Sequence, residues 1–358
     1  MENFAFIIHP ITAKRDIVRK FPAAALLPES LLELVLRVMK PVDVSHITGI
    51  RSKDGTEAEG WFIGCPLSSK QFMELPVEVC YNKIMECIRL AEEKGARIVG
   101  LGAFTSVVGD AGKTLSERAN IAVTSGNSYT IGTAIEGSMR ASRIMGVDPG
   151  SARVAVVGAT GSIGKTCTKM YDGKCAYITL VGRNLDKLEA ALGGIKKTPA
   201  RISADVQNGI ANADIVVAVS SSVDAIIQPT YLKPGAVVCD VARPRDVSVK
   251  VAEERDDVLV IEGGVVKVPG DVEFHFDFGF PPKTAYACMS ETMILALEKR
   301  YESYTIGRDI SVDKVNEITA LGKKHGFEMA GFRSFEKAVS EEEVEQIRKN
   351  AFEDEIVE

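Results

Sequence analysis

A glycine-rich run, GATGSIG at residues 158–164, combines spaced glycines with small polar side chains. It follows the apolar segment RVAVV and precedes a helix-compatible stretch. At a strand-to-helix turn, Gly158 permits a tight turn, Gly161 lets the backbone approach a pyrophosphate, and Gly164 lets the helix pack closely. The helix N-terminus then favours phosphate. We therefore predict a dinucleotide site, with an ordinary glycine-rich turn as the alternative, formed by Gly158, Thr160, Gly161, Ser162, Ile163 and Gly164.

The residues that follow the later predicted strands refine this site. Arg183 stands where an NAD-preferring site usually places a carboxylate for the ribose 2′-hydroxyl. A guanidinium pairs instead with a 2′-phosphate, so the sequence predicts NADPH, unless Arg183 is merely a solvated surface residue. Ser220 and Gly263 follow two further strands, and ligands of open α/β sheets bind at the carboxyl ends of strands. We expect the nicotinamide ring there.

Cys288 is the candidate nucleophile. The segment Pro281-Pro282-Lys283-Thr284 is typical of a helix start with Thr284 as N-cap, which puts the thiol in the first turn. The helix dipole would lower the thiol pKa there. Cys288 also shares a helical stripe with apolar neighbours, so a small core residue is the alternative. We interpret the other six cysteines as packing residues: Cys65, Cys80, Cys87, Cys167, Cys175 and Cys239.

Other polar and charged residues are weaker candidates. His275 lies just upstream of Cys288 and could act as an acid or base, although a hydrogen-bonded core or surface histidine is the commoner case. A basic cluster in an otherwise acidic chain, formed by Lys14, Arg15, Arg19 and Lys20, could dock an acidic partner or be a solvated helix face.

Apolar runs alternate with helix-period segments, which predicts α/β units. We expect an N-terminal α/β domain over residues 1–147 and a Rossmann-type domain with a doubly wound parallel sheet over 148–282. The turn residues of 146–150 suit a linker. A C-terminal helical segment, 283–358, would carry Cys288, with its helices packing back.

Composition excludes several functional classes. The 358 residues are 46% hydrophobic, as in a folded α/β protein, and the net charge of −6 argues against a nucleic-acid partner. Seven cysteines without a C-x-x-C pair, and four histidines, signal neither a disulfide framework nor a metal site. No apolar stretch is long enough for a membrane span. We expect a cytoplasmic protein.

Several short motifs occur together in one order. They are GLGAFTS at 100–106, TSGNSYT at 124–130, VVGATGSIG at 156–164, EGGVV at 262–266, AC at 287–288 followed by Glu291, and KHGF at 324–327. In these motifs the chain resembles the long-chain acyl-[acyl-carrier-protein] reductases, which form fatty aldehydes. The segment FHFDFGFPPKTAY before the cysteine and the acidic extension from about 331 to 358 depart from that pattern.

The resemblance implies a function. It implies that Cys288 takes the acyl group from an acyl carrier protein or coenzyme A thioester, and that NADPH then reduces this acyl-enzyme to an aldehyde. An aldehyde-consuming enzyme would be a further partner. The residues Thr105, Asn127 and Ser128 are candidates to bind the developing oxyanion or the carrier arm, or simply to cap the linking helix.

Two other functions remain open. One is a shikimate- or hydroxy-acid-type dehydrogenase, which would need a Lys and Asp pair in the first domain and no cysteine. The other is a catalytically silent NADP-binding sensor, in which Cys288 could be replaced without loss. The fold alone does not separate the three functions.

Overall fold

The computed structural model describes residues 1–14, 17, 22–222, 224–242 and 244–352. The chain forms two compact units. The first unit comprises Met1–Ser128, Lys267–Asp309 and Ala320–Glu328, and the second comprises Tyr129–Val266, Ile310–Thr319 and Met329–Glu358. The predicted domain boundaries lie after residues 147 and 282. The first unit instead ends at Ser128 and takes in residues 267–309 again later in the chain.

The first unit is built on a six-stranded mixed sheet. Its strands are β1 (Glu2–Ile8), β2 (Val42–Arg51), β3 (Glu57–Gly64), β4 (Ile98–Leu101), β5 (Ala122–Thr124) and β13 (Gly270–Glu273), in the order β13-β2-β3-β1-β4-β5. The strands β3, β1, β4 and β5 are parallel, whereas β2 is antiparallel to both β3 and β13. A turn at Asp54-Gly55 joins β2 and β3, and there the Gly55 N–H donates to the Ser52 carbonyl.

Helices cover this sheet because its strands alternate between two apolar faces. The helices of this unit are α1 (Glu29–Val38), α2 (Ser69–Glu74), α3 (Val77–Glu93), α4 (Lys113–Arg118) and α10 (Ala287–Leu297). The buried stripe of α3 packs with Ala5 and Ile7 of β1. On β4, a Cβ at Gly100 would lie 2.2 Å from the Thr292 hydroxyl of α10 and 2.4 Å from the Phe6 ring, so α10 packs directly on the strand backbone.

The second unit is a parallel six-stranded sheet. Its strands are β6 (Arg153–Val157), β7 (Tyr177–Val181), β8 (Ala200–Ser203), β9 (Ile215–Ala218), β10 (Val237–Asp240) and β11 (Leu259–Glu262), in the order β11-β10-β9-β6-β7-β8. Counted from β6 as first, this is the 3-2-1-4-5-6 order of the doubly wound dinucleotide-binding fold. The predicted fold class is therefore confirmed, and β8 is a strand that the sequence did not indicate.

Helices flank both faces of this sheet. They are α6 (Ser162–Tyr171), α7 (Leu185–Leu192), α8 (Val206–Ile210), α9 (Lys250–Glu254) and α12 (Glu341–Phe352), with most of α5 (Asn127–Ile144) and the first part of α11 (Val312–His325). Along β6, Val154 and Val156 belong to one core and Ala155 and Val157 to another. The alternation shows that both faces are buried, as expected for a parallel sheet.

The C-terminal region differs from its prediction. Where a helix was expected to start at Thr284, a short strand comes first, β14 (Thr284–Tyr286), and α10 follows it. Thr284 is not the N-cap, because its hydroxyl donates to the Pro281 carbonyl at 2.7 Å, and Tyr286 occupies the cap position. Short strands also occur in the segment expected to be helical: β15 (Glu328–Met329), and the hairpin of β16 (Phe332–Ser334) with β17 (Lys337–Val339). A further short strand, β12 (Val265–Lys267), follows β11. Among the described residues, no helix has both the length and the apolarity to cross a bilayer.

Candidate active site and cofactor loop

The glycine loop of the second unit has the geometry that its spacing predicts. Gly158, directly after β6, has a φ of +87°, a conformation that side chains disfavour. A Cβ at Gly164 would lie 2.2 Å from the Gly158 carbonyl oxygen, so α6 packs against the loop backbone without room for a side chain. A Cβ at Gly161 would meet that oxygen only at 3.4 Å. Gly158 and Gly164 are therefore fixed by the fold, whereas Gly161 is not.

The start of α6 suits an anionic ligand. Its N-cap is Gly161, which supplies no side-chain cap, and Gly161 is exposed while Thr160, Ser162 and Ile163 are half-buried. The N–H groups of the first helical turn have no intrahelical acceptors and point toward the N-terminus. Together with the close approach at Gly164, this cradle fits the pyrophosphate of a dinucleotide.

The crevice of this sheet lies at the strand pair where the order reverses, β6 and β9. There a Cβ at Gly158 would lie 2.8 Å from both the backbone N and Cα of Ser220. Ser220 is fixed by Asp246, whose carboxylate accepts from the Ser220 N–H at 2.8 Å and from its hydroxyl at 2.5 Å. Asp246 is fully buried, and burial raises its pKa. Ser220 is predictable from its place after a strand, whereas no local pattern in the sequence indicates Asp246.

Arg183 and Gly263 lie after two other strands of the same sheet. Arg183 is exposed at the end of β7 and forms no hydrogen bond or ion pair with the described residues. The next residue, Asn184, caps α7 by accepting from the Lys187 N–H. Gly263 follows β11, where a Cβ would meet Val241 at 2.6 Å. Arg183 thus has a guanidinium available for a ligand.

Cys288 lies in the first unit, as the second residue of α10. It is half-buried, whereas all six other cysteines are buried. Burial raises the thiol pKa of Cys80 and Cys87, and that of Cys175 to about 11. A thiolate nucleophile must be accessible, so Cys288 is the cysteine best placed to react.

A loop from the motif TSGNSYT lies directly against this cysteine. Gly126 has a φ of +73°, and a Cβ there would lie 2.4 Å from the Cys288 Cα and 2.5 Å from its Cβ. Only glycine allows this approach. The loop and the first turn of α10 therefore form one site, although they are far apart in sequence.

A buried carboxylate, Glu291, anchors the loop one turn beyond Cys288. The Thr124 hydroxyl donates to Glu291 Oε1 at 2.5 Å, and the Thr305 hydroxyl lies 2.8 Å from both Glu291 Oε1 and Ser128 Oγ. All four side chains are buried. The sequence assigns Glu291 no role beyond its place in a motif. The signal for its anchoring role is that it is the one carboxylate in the apolar segment MSETMILAL.

The other residues predicted for the site lie in different surroundings. Ser128 belongs to the network beside Glu291, and Asn127 is half-buried at the start of α5. The Thr105 hydroxyl already donates to the Gly102 carbonyl, which favours a turn-capping role. His275 is exposed, with its Nδ1 3.0 Å from the His46 carbonyl oxygen. In the basic cluster Lys14 is exposed, while Arg15, Arg19 and Lys20 lie outside the described residues.

Comparison with known proteins supports the class that this fold defines. Residues 140–262 match the shikimate/quinate 5-dehydrogenase family. A solved shikimate 5-dehydrogenase from Listeria monocytogenes is 14% identical with a TM-score of 0.38, over 89% of this chain and 96% of that one. The family match falls on the second unit and its glycine loop. The chain therefore carries an oxidoreductase-type NAD(P)-binding domain.

Two relatives extend over most of the chain. The aminotransferase PigE of Serratia sp. is 29% identical over 97% of this chain, which spans 42% of the length of that relative. The long-chain acyl-[acyl-carrier-protein] reductase of Synechococcus elongatus is 28% identical over 82% of this chain and 87% of its own length. A shorter match, 33% over 28% of this chain and 24% of the relative, is to a glutamyl-tRNA reductase of Streptococcus sanguinis. The dehydrogenase-family match, which includes the glycine loop, indicates NADP(H) as the cofactor.

Proposed function

We propose that this protein is an NADPH-dependent reductase that converts an acyl thioester to an aldehyde through an acyl group held on Cys288. The observation that carries the proposal is the setting of Cys288, the half-buried cysteine in the first turn of α10, packed against Gly126. The similarity to the Synechococcus elongatus acyl-[acyl-carrier-protein] reductase supports the same reaction. An acyl carrier protein or coenzyme A would deliver the acyl group.

The residues of the first unit account for acyl transfer. The Cys288 thiolate attacks the thioester carbonyl carbon, forming a new C–S bond, and the carrier sulfur departs and takes up a proton. The backbone N–H groups at the start of α10 favour the thiolate. Asn127, half-buried beside Gly126, could donate to the developing oxyanion. Glu291 holds the loop through Thr124 and so keeps Gly126 against the cysteine.

The second unit binds the cofactor in this proposal. The loop 158–164 would hold the pyrophosphate, Arg183 would pair with the 2′-phosphate, and Ser220 and Gly263 would border the nicotinamide. When bound, NADPH supplies the hydride that reduces the acyl carbonyl. The C–S bond to Cys288 then breaks as the aldehyde forms, and its electron pair returns to the sulfur as the thiolate needed for the next acyl transfer.

The carrier and the product suggest two partners. The cluster Lys14, Arg15, Arg19 and Lys20 would attract an acidic carrier protein. Reversing Arg15 and Arg19 to Glu should then raise KM for a carrier-bound substrate and leave coenzyme A thioesters unaffected. Downstream, an aldehyde is a carbonyl compound that a transaminase can convert to an amine, and the Serratia relative is named an aminotransferase. An aldehyde-consuming transaminase is therefore a fitting partner.

Intact mass spectrometry tests the proposal. Incubated with acyl thioesters and no NADPH, the protein should gain one acyl mass, and Cys288→Ser should gain none while still binding NADPH. Cys175→Ala, which removes a buried thiol of the second unit, is the matched control and should acylate normally. A Cys288→Ala protein that reduces acyl thioesters at the wild-type rate would refute the proposal.

The shikimate-type dehydrogenase is the second candidate, favoured by the family match over residues 140–262. That match covers the NAD(P)-binding region and not the surroundings of Cys288, so it is shared by both functions. A dehydrogenase, or a silent NADP-binding sensor, would bind NADPH but take up no acyl group. The same mass measurement therefore separates the proposed reductase from both of these alternatives.

A further inference from the structure

An ionic cluster in the second unit joins the loops that follow β10 and β11. Glu262, the last residue of β11, has a side chain that is only 3% exposed. Its Oε1 accepts from the Arg245 Nη2 at 2.7 Å, and its Oε2 lies 3.6 Å from the Arg333 Nε. The carboxylate of Glu336 lies 3.4 Å from Arg245 and completes the Glu262 cluster. A carboxylate taken out of water needs such partners, so the cluster holds its members together.

Two members of the cluster belong to the hairpin of β16 and β17, in the acidic extension of the chain. Ser334 pairs with Lys337, so Phe335 and Glu336 form a two-residue turn. Their φ angles are +48° and +70°, in the left-handed region where such turns usually place asparagine and glycine. Strained backbone persists only where its surroundings hold it, and it concentrates at functional sites.

The contacts of this turn supply that hold. The Glu336 N–H donates to Glu262 Oε1 at 2.9 Å, and the Glu336 carbonyl accepts from the Arg333 guanidinium. The Phe335 ring packs on one apolar core of the sheet, and its centroid lies 5.7 Å from the Arg245 guanidinium carbon. The turn is therefore bound to the loop after β10 through Arg245 and to the end of β11 through Glu262.

Both loops contain residues expected beside the nicotinamide. Arg245 directly precedes Asp246, whose carboxylate accepts from the N–H and the hydroxyl of Ser220. Glu262 directly precedes Gly263. The strands β9, β10 and β11 form one half of the sheet, and the glycine loop and Arg183 follow strands of the other half. In doubly wound folds each half binds one mononucleotide of the cofactor, so the Glu262 cluster lies in the nicotinamide half.

We propose that the C-terminal hairpin is part of the cofactor site, because it holds the two loops that border the nicotinamide through the Glu262 cluster. Arg245 and Arg333 are positioning residues, which act through the loops. This inference rests on the placement of the nicotinamide beside Ser220 and Gly263 in the proposed function. It gives a role to the extension, which departs from the pattern of the acyl-carrier-protein reductases.

The experiment compares two ligands that differ in the nicotinamide alone, NADPH and 2′-phospho-ADP-ribose. Calorimetric titration gives the dissociation constant of each. In wild type, NADPH should bind more tightly, because the loops contact its ring. Arg245→Ala should weaken NADPH binding about tenfold, the lower end of what the loss of a supporting residue costs a bound group, and change 2′-phospho-ADP-ribose binding less than about twofold. A purely structural role would weaken both ligands alike.

Two milder variants accompany Arg245→Ala, because that change removes a partner of a buried carboxylate. Arg245→Lys and Arg333→Lys keep the positive charge, but an ammonium lacks the planar fork that lets each guanidinium contact Glu262 and Glu336 together. Both variants should reduce the preference for NADPH over 2′-phospho-ADP-ribose, by less than Arg245→Ala does. The Arg333→Lys result tests the hairpin itself, since Arg333 belongs to β16.

Lys337→Ala is the control. Lys337 is an exposed cation of the same hairpin outside the Glu262 cluster, so its variant should bind both ligands as wild type does. Equal losses for the two ligands in Arg245→Lys, an unchanged preference in Arg333→Lys, or equal wild-type affinities would overturn the inference. None of these results bears on acyl uptake by Cys288. A wild type that takes up no acyl group would refute the proposed reaction, while the ligand preference would still decide this inference.

Discussion

The helix starts of the two candidate sites, Ser162 in the second unit and Ala287 in the first, each have a glycine that lets backbone approach backbone. At α6 the glycine and its contact lie in one loop, where Gly164 meets Gly158. At α10 the glycine comes from a distant segment, where Gly126 meets Cys288. The start of α6 exposes main-chain N–H groups, whereas the start of α10 presents the side chain of Cys288.

This difference has an energetic consequence. The cradle at α6 needs only the absence of side chains, so its geometry follows from local backbone conformation. The site at α10 needs a tertiary anchor, and the buried bonds of Glu291 to Thr124 and Thr305 provide it. Substitutions should therefore impair cofactor binding and acyl transfer separately.

The largest effect is expected for Glu291→Ala. It removes the acceptor of two buried hydroxyls and leaves a cavity, so we expect the free energy of unfolding to fall by about 3 to 5 kcal/mol and acylation of Cys288 to slow at least about tenfold. Urea denaturation and intact mass measure the two effects. Glu291→Gln keeps one acceptor oxygen and should lose less in both. Wild-type stability in Glu291→Ala would show that the carboxylate does not anchor the loop.

Gly164→Ala should have the next largest effect, confined to the second unit. Its Cβ would lie 2.2 Å from the Gly158 oxygen and 2.8 Å from the Ala159 Cα, both backbone atoms that cannot yield cheaply. We expect about 2 to 3 kcal/mol of destabilisation, weaker NADPH binding by at least about tenfold, and normal acylation of Cys288. Calorimetric titration and intact mass check these outcomes.

Gly161→Ala is the matched control for that substitution. Its Cβ makes only an ordinary contact at 3.4 Å, and Gly161 has a φ of −76°. Its stability should stay within about 0.5 kcal/mol of wild type, while NADPH binding weakens if the pyrophosphate lies against this backbone. A loss of acylation in either variant would contradict the separation of the two sites.

The contrast also explains what the sequence could predict. The positive φ of Gly158 and the close approach of Gly164 to it arise within seven consecutive residues, so a local pattern could predict this geometry. The anchor joins Thr124 to Glu291 across 167 positions, and no local pattern indicates that contact. The prediction of Thr284 as the N-cap was wrong. Its hydroxyl donates instead to the carbonyl of Pro281, three residues earlier, and the residue type alone does not decide between the two. The buried Asp246 was missed since it reaches Ser220 from 26 residues away.

Arg183→Ala should affect cofactor choice more than stability. If the exposed guanidinium pairs with the 2′-phosphate, NADPH binding weakens by about 1.5 to 3 kcal/mol, the range for a hydrogen bond to a charged group, and NADH binding barely changes. Lys187→Ala removes a nearby exposed cation from α7 and serves as the control. Equal wild-type affinity for NADPH and NADH would remove Arg183 from the site.

The smallest effect is expected for Asp246→Asn. This substitution tests the buried carboxyl group that fixes Ser220 beside Gly158. Burial raises the pKa of Asp246 above its usual 3.8, so the folded state holds this proton more tightly than the unfolded state does. The stability that this group contributes is complete below the unfolded pKa and is lost as the pH rises through the folded pKa. The uncharged amide of the Asp246→Asn variant does not titrate and would have no such dependence.

The variant's stability relative to wild type should therefore improve between pH 4 and pH 7, by roughly 1 kcal/mol or less, because two hydrogen bonds from Ser220 oppose the cost of burial. Urea denaturation of both proteins across that pH range measures the difference in their free energies of unfolding. The other carboxylates contribute equally to both proteins, so their contributions cancel in this difference. Ser220→Ala is the control, since it removes one bond to Asp246 and should raise the carboxyl pKa further. If the stability of the asparagine variant relative to wild type instead falls between pH 4 and pH 7, the bonds from Ser220 outweigh burial and the pKa of Asp246 is lowered, not raised.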